Sequence, residues 1–273
     1  MKALSEFRLW EAEPPFAESD DATRIEHADA TPNDGIIRLT DVTTPTITFY
    51  PASGSGPKPA VLVCPGGGYT ILAWNHEGSD ICAMLNLNGF SAFLLKYRCH
   101  RPDSCEPPTA AHADAARAMR LIRARAGEFD IIPDQLGVIG FSAGGHLAAT
   151  LCAPADPVPY PAADETDQLP YRPDFAALIY PAYLVRDDDR TLQPEFKVTS
   201  DVSPTFIVQA EDDGVKVENA LVWYRELKDA GVPAEMHLYP TGNHGYGLLR
   251  TGEPISCWGM LAGAWFRRQA GLK

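Results

Sequence analysis

Gly140-Phe141-Ser142-Ala143-Gly144-Gly145 sets one serine between glycines, where an apolar run meets a stretch of small residues. Leu136, Val138 and Ile139 predict a short buried strand before it, and Ala143, Leu147, Ala148, Ala149 and Leu151 predict a helix after it. Ser142 is therefore expected at a tight strand-to-helix elbow, with the unpaired N–H groups of the helix N-terminus beside its hydroxyl. That geometry suits attack on a carbonyl carbon.

Three further parts follow strands that the sequence predicts: a Gly66-Gly67-Gly68 turn, the acidic pair Asp212-Asp213, and His244. The chain order serine, acid, histidine is that of the α/β-hydrolases. From Ala60 onward, continuous apolar runs alternate with helical patterns, which predicts a mainly parallel sheet buried on both faces. Strands are expected at 60–64, 91–96, 136–140, 175–180, 205–210 and 234–239. Helices are expected near 77–88, 110–126, 143–153, 217–230 and 255–268, with Gly89, Gly127 and Gly231 closing three of them. Two earlier alternating segments, 36–42 and 46–50, predict antiparallel strands opening the same sheet. The fold class is thus α/β, with about eight mostly parallel strands flanked by helices. The connections 154–174 and 182–204 are too polar to predict a large helical lid, so the site should be open.

With 273 residues, of which 45% are hydrophobic, the chain suits one catalytic domain over 35–273. Residues 1–34, rich in acids and proline, are expected as a surface arm. No apolar run approaches the ~20 residues of a membrane span, and the first residues lack the apolar core of a secretory signal. A cytoplasmic protein is the expectation. A net charge of −13 disfavours nucleic acid and anionic membranes as partners. The six cysteines have no Cys-x-x-Cys spacing, and no disulfide framework, metal site or cofactor is expected. Cys99 and Cys105 share a loop and could pair in an oxidising compartment.

In the glycine turn, amides can approach a ligand without side-chain obstruction. The N–H groups of Gly67, Gly68 and Ala143 are the expected oxyanion hole, since no Gly-Lys-Ser/Thr follows as in a phosphate loop. His244 lies in a glycine-rich loop that suits a mobile base. His237 falls in a strand, His112 and His146 in helices, and His27 and His100 in polar loops. Glu211, Asp212 and Asp213 all stand at the right strand end for the acid. The reading Asp212-Asp213-Gly214-Val215 favours Asp212, with Asp213 capping the turn. Tyr69, Trp74, Asn75, His76 and Glu77, which follow the glycine turn, are candidates for lining the substrate pocket, with packing as the alternative, and Glu77 is a candidate for capping a helix or pairing with Arg98 instead.

Cys64-Pro65-Gly66-Gly67-Gly68-Tyr69, Trp74-Asn75-His76-Glu77-Gly78, Leu95-Lys96-Tyr97-Arg98 and Gly-Phe-Ser-Ala-Gly-Gly-His together resemble the acetylxylan/feruloyl esterase type of α/β-hydrolase, over roughly residues 40–270. The resemblance implies a serine esterase that removes acetyl-like groups, from a small-molecule or oligosaccharide ester, with Ser142, Asp212 and His244 as its triad. Two features depart from it. Polysaccharide esterases of this type normally carry an export signal, which points here to small acylated sugars or generic esters. Pro65 stands where the related lipase-like branch has histidine. The alternatives are a peptidase or amidase of the prolyl oligopeptidase type and a non-catalytic binding protein. No propeller pattern is read in these 273 residues, so the first is not the expectation, and the presence of all three triad residue types speaks against the second.

Overall fold

The computed structural model describes residues 5–17, 24–30, 34–99, 109–156, 159–188, 190–249 and 252–272. Its strands in chain order are β1 (Ser5–Arg8), β2 (His27–Ala30), β3 (Ile37–Thr40), β4 (Thr46–Tyr50), β5 (Lys58–Cys64), β6 (Ile71–Ala73), β7 (Ser91–Lys96), β8 (Ile131–Phe141), β9 (Ala176–Ile179), β10 (Thr205–Ala210) and β11 (Ala234–Tyr239). The helices are α1 (Asp80–Leu87), α2 (Thr109–Ala124), α3 (Ala126–Phe129), α4 (Ala143–Cys152), α5 (Glu218–Asp229) and α6 (Trp258–Gln269).

An eight-stranded sheet runs β1-β4-β7-β5-β8-β9-β10-β11. From β7 to β11 neighbouring strands are parallel, whereas β4 pairs antiparallel with both β1 and β7. The parallel strands β5, β7, β9 and β10 are apolar runs buried almost throughout, because helices cover both faces. Leu62, Phe93, Val138 and Leu178 belong to one apolar cluster, and Val61, Leu94, Ile139 and Ile179 to another, so successive residues of each strand feed opposite sides of the sheet.

The chain leaves β5 toward β7 on one side, and returns past β5 to β8 on the other. The order reverses between β5 and β8, which are register partners from Ala60↔Leu136 to Cys64↔Gly140. A crevice opens beyond the carboxyl ends of strands at such a reversal, and ligands of open α/β sheets bind there. Here the glycine turn leaves β5 and Ser142 leaves β8.

Several expectations need correction. Only β4 of the two early segments joins the main sheet; β3 pairs with β2 and β6 in a small antiparallel sheet. Alternation predicted strands without saying which edge they would meet. His27, expected in a loop, lies in β2. Part of the N-terminal arm is built into the domain: β1 is an edge strand, and Leu9 and Trp10 are buried, with the Trp10 indole N–H donating to Asp114 Oδ1 at 2.8 Å. Gly127 does not close α2. It sits inside α3, and the left-handed residue that ends this region is Asp130, at φ 50°. Gly89 and Gly231 do take positive φ after their helices. Cys99 is a buried free thiol beneath Leu39, with burial pushing its pKa up to about 12; Cys105 and His100 lie outside the described residues. Among the described residues, no helix is long and apolar enough to cross a membrane.

Candidate active site

Ser142 occupies the turn between β8 and α4 with φ 52° and ψ −117°, a conformation that L-residues rarely adopt. The surroundings hold it there. Its N–H donates to Ile179 O at 3.1 Å, and its carbonyl accepts from the amides of His146 and Ala182, both at 3.1 Å. Gly144 passes so close to β5 that a methyl group there would overlap the carbonyl oxygens of Cys64 and Pro65. This explains the glycine two residues after the serine: α4 must lie directly against the start of the glycine turn.

The His244 imidazole bridges the two other groups. Its Nε2 lies 2.8 Å from Ser142 Oγ, and its Nδ1 lies 2.8 Å from Asp213 Oδ2. Asp213, not the expected Asp212, is the partner of His244. The Asp213 side chain is fully buried and folds back toward β10, where Gln209 Nε2 donates to Oδ2 at 3.2 Å. Its Oδ1 accepts the Val215 amide at 2.7 Å. One carboxylate therefore caps the turn, as expected, and also holds the imidazole. Capping the turn and holding the imidazole are two roles of one side chain, which is why a residue marked as the turn cap by its spacing is also the partner of the base. Asp212 is exposed, and its Oδ1 accepts the Asn243 amide at 2.8 Å, which anchors the histidine loop one residue before His244.

Around Gly66-Gly67-Gly68 the peptide orientations follow from their acceptors. Gly66 O accepts from Ala73, and Gly67 O from Thr70 and Ile71. In a trans peptide the N–H opposes the carbonyl, so the Gly67 and Gly68 amides are turned away from these bonds. No hydrogen bond among the described residues uses either amide. Ala143 opens α4, and the N–H of a first helical residue has no acceptor within its helix. The three expected oxyanion-hole amides are thus available donors, on two loops that leave adjacent strands.

Tyr69 is almost fully buried at φ 63°. Its hydroxyl meets His146 Nδ1 at 2.7 Å, while His146 Nε2 lies 3.3 Å from Glu195 Oε1. Tyr183, which the sequence reading did not single out, is exposed and stacks on Tyr69, with ring centroids 6.3 Å apart and 26° between planes. A Cβ on Gly68 would lie 3.7 Å from its hydroxyl, so this ring stands at the mouth of the site. Tyr183 leaves no mark in the sequence because its position comes from the irregular backbone after β9. Trp74 is half-buried, packs against both apolar clusters and donates its backbone N–H to Ile37 O; it is a packing residue. Glu77 does not pair with Arg98. Arg98 is bound to Asp114 at 2.8 Å, and Glu77 points under the glycine turn.

The BD-FAE family profile matches residues 48–157, the stretch containing the glycine turn and Ser142. An acetyl ester-xyloside bifunctional hydrolase from Caldicellulosiruptor lactoaceticus shares 30% identity and a TM-score of 0.78, with 98% of this chain and 97% of that one covered. The chain belongs to the BD-FAE/acetylxylan esterase group of α/β-hydrolases. The prolyl oligopeptidase family profile matches residues 112–270, over half of the chain, so this α/β-hydrolase belongs to that wider family as well. An acetylxylan esterase from Xylanibacter ruminicola is 28% identical over 226 residues, covering 74% of this chain and 43% of that protein. Endo-1,4-beta-xylanase B from Butyrivibrio fibrisolvens is 31% identical over 221 residues, covering 74% and 34%. The chain spans less than half the length of these two relatives.

Proposed function

We propose that this α/β-hydrolase is a serine esterase that removes short acyl groups, with Ser142 as nucleophile, His244 as general base and acid, and Asp213 as the carboxylate that orients it. The observation that carries the reading is the pair of 2.8 Å contacts from one imidazole to Ser142 Oγ and Asp213 Oδ2. His244 Nε2 takes the serine proton as Oγ bonds to the ester carbon. Asp213 fixes the tautomer and stabilises the imidazolium. The amides of Gly67, Gly68 and Ala143 hold the negative oxygen of the tetrahedral intermediate, each contributing about 3 kcal/mol to barrier lowering. The bond to the alcohol oxygen then breaks, with the proton on His244 passing to that oxygen. Water, deprotonated by the same imidazole, releases the acid from the acyl-enzyme.

Short acyl groups fit the architecture. The long connections flanking the site hold only a single helical turn, Glu165–Gln168, among the described residues, and Asp164 and Asp167 at that turn are pinned to α2 by Arg117. No described element forms a deep apolar cap. Acylated carbohydrates are the proposed natural substrates, because the similar proteins carry xylan and xyloside names and because Tyr183 offers an exposed aromatic face beside the glycine turn.

A nitrophenyl ester series tests this. Acetate should turn over faster than octanoate, and a fluorophosphonate should label the wild type but not Ser142→Ala. Faster hydrolysis of octanoate would overturn the short-acyl assignment. The match to the prolyl oligopeptidase family favours a second reading, peptide or amide cleavage; release of an anilide as fast as of the matching ester would establish it instead.

A further inference from the structure

Glu77 is a carboxylate that the acyl transfer does not consume, yet it forms the floor of the site. It is only 3% exposed. Its Oε2 accepts the Gly66 amide at 2.7 Å, and its Oε1 accepts the Tyr180 hydroxyl at 2.8 Å. A Cβ on Gly66 would lie 2.6 Å from Glu77 Oε2 and 3.0 Å from Ser142 Cβ, so the carboxylate and the nucleophile flank the same backbone atom. The Tyr180 oxygen accepts in turn from the Gly247 amide at 3.0 Å, three residues beyond His244, and the Tyr180 ring packs edgewise on the imidazole at 5.0 Å. His76 adds a second strut, with Nε2 3.2 Å from Gly245 O and 3.6 Å from Glu77 Oε1.

The hydrogen-bond directions favour the ionised form. Gly66 can only donate. Because the Tyr180 oxygen already receives the Gly247 N–H, a proton on Glu77 Oε1 would leave the buried Tyr180 hydroxyl hydrogen without an acceptor. The ionised carboxylate satisfies every partner. Burial is the largest influence and leaves the Glu77 carboxyl above its ordinary pKa, although His76, the Tyr180 hydroxyl, the Gly66 amide and His244 each act to lower it. Tyr97 and Tyr246 are the other titratable groups facing it, and burial pushes both up, which keeps them neutral.

We propose that Glu77 is a positioning residue for the acyl transfer: a buried anion that ties the glycine turn to the histidine loop and favours the positive charge His244 acquires with the serine proton. This rests on the serine-esterase reading. A buried ion costs stability, and this one spans the two loops whose alignment the reaction needs.

Wild type and Ser142→Ala are first assayed on nitrophenyl acetate, then Glu77→Gln and Tyr180→Phe across pH. Glu77→Gln should lower kcat by about 20-fold with KM within about threefold. Without the anion the imidazolium is less favoured, so the acidic limb of kcat/KM should move to lower pH by about half a unit. Tyr180→Phe keeps the charge and cuts the strut; it should lower kcat several-fold and leave the limb in place. A folded Glu77→Gln protein with unchanged kcat and an unmoved limb overturns the proposal, and an unmoved limb alone overturns its electrostatic part. If Glu77→Gln does not fold, Tyr180→Phe decides, and wild-type kcat there overturns the tie. Absence of hydrolysis by the wild type would instead sink the esterase reading itself.

Discussion

The elbow around Ser142 and the loop around His244 deliver two halves of one constellation by opposite means. The elbow is buried and held by backbone: the Ser142 amide on Ile179 O, the Ser142 carbonyl on two amides, and Gly144 wedged against β5. The histidine loop is largely exposed and held by side chains that arrive from elsewhere, namely Asp212 on the Asn243 amide, His76 on Gly245 O, Tyr180 on the Gly247 amide and the Trp258 indole on Gly247 O. Packing fixes the nucleophile; polar contacts across long chain separations fix the base. Damage to the packing of the elbow, as distinct from removal of the serine hydroxyl, should therefore appear as lost stability, and damage to the loop as lost rate in a folded protein.

The sharpest break removes the reacting atom. Ser142→Ala should lower kcat by about a million-fold while thermal unfolding stays within a few degrees of wild type; a merely tenfold loss would mean that the hydroxyl is not the nucleophile. Next comes the acid. Asp213→Asn should cost about 10⁴ in kcat with the fold intact, since an amide can hold the wrong imidazole tautomer. Gly144→Ala tests the other half: overpacking against the Cys64 and Pro65 carbonyls should destabilise by about 3 kcal/mol, read as a fall in the denaturant midpoint. An unshifted midpoint would remove the claim that packing holds the elbow. The smallest effect is expected at Asp212→Asn, where an amide oxygen can still accept the Asn243 N–H and the rate should fall less than about fivefold.

The same contrast explains what the sequence made legible. Ser142, the glycine turn and the parallel strands were readable because each depends on a local pattern: glycines where a side chain would collide, and apolar runs where a strand is covered on both faces. Strands 91–96, 205–210 and 234–239 appear with the expected limits. Asp213 was misread by one position because Asp212 and Asp213 both follow β10 and both meet the histidine loop; which one turns inward depends on Gln209 and on the turn at Val215. Tyr180 and Tyr183 escaped, and Glu77 was singled out without its true partners, for the same reason. Their partners lie on other strands' loops, and no short spacing records such a meeting. β3 was assigned to the wrong sheet because alternation marks a strand and not its neighbour.

The pairing of Cys64 with Gly140 across β5 and β8 has an engineering consequence. The gap between the amides of the glycine turn and the serine hydroxyl is measured out by one interstrand spacing, about 4.8 Å, rather than by the length of any connection. Segment 154–174, and segment 182–204 beyond the Ala182 amide that the Ser142 carbonyl accepts, can then be lengthened, shortened or exchanged to admit bulkier alcohols, while the reacting atoms keep the ruler of the sheet.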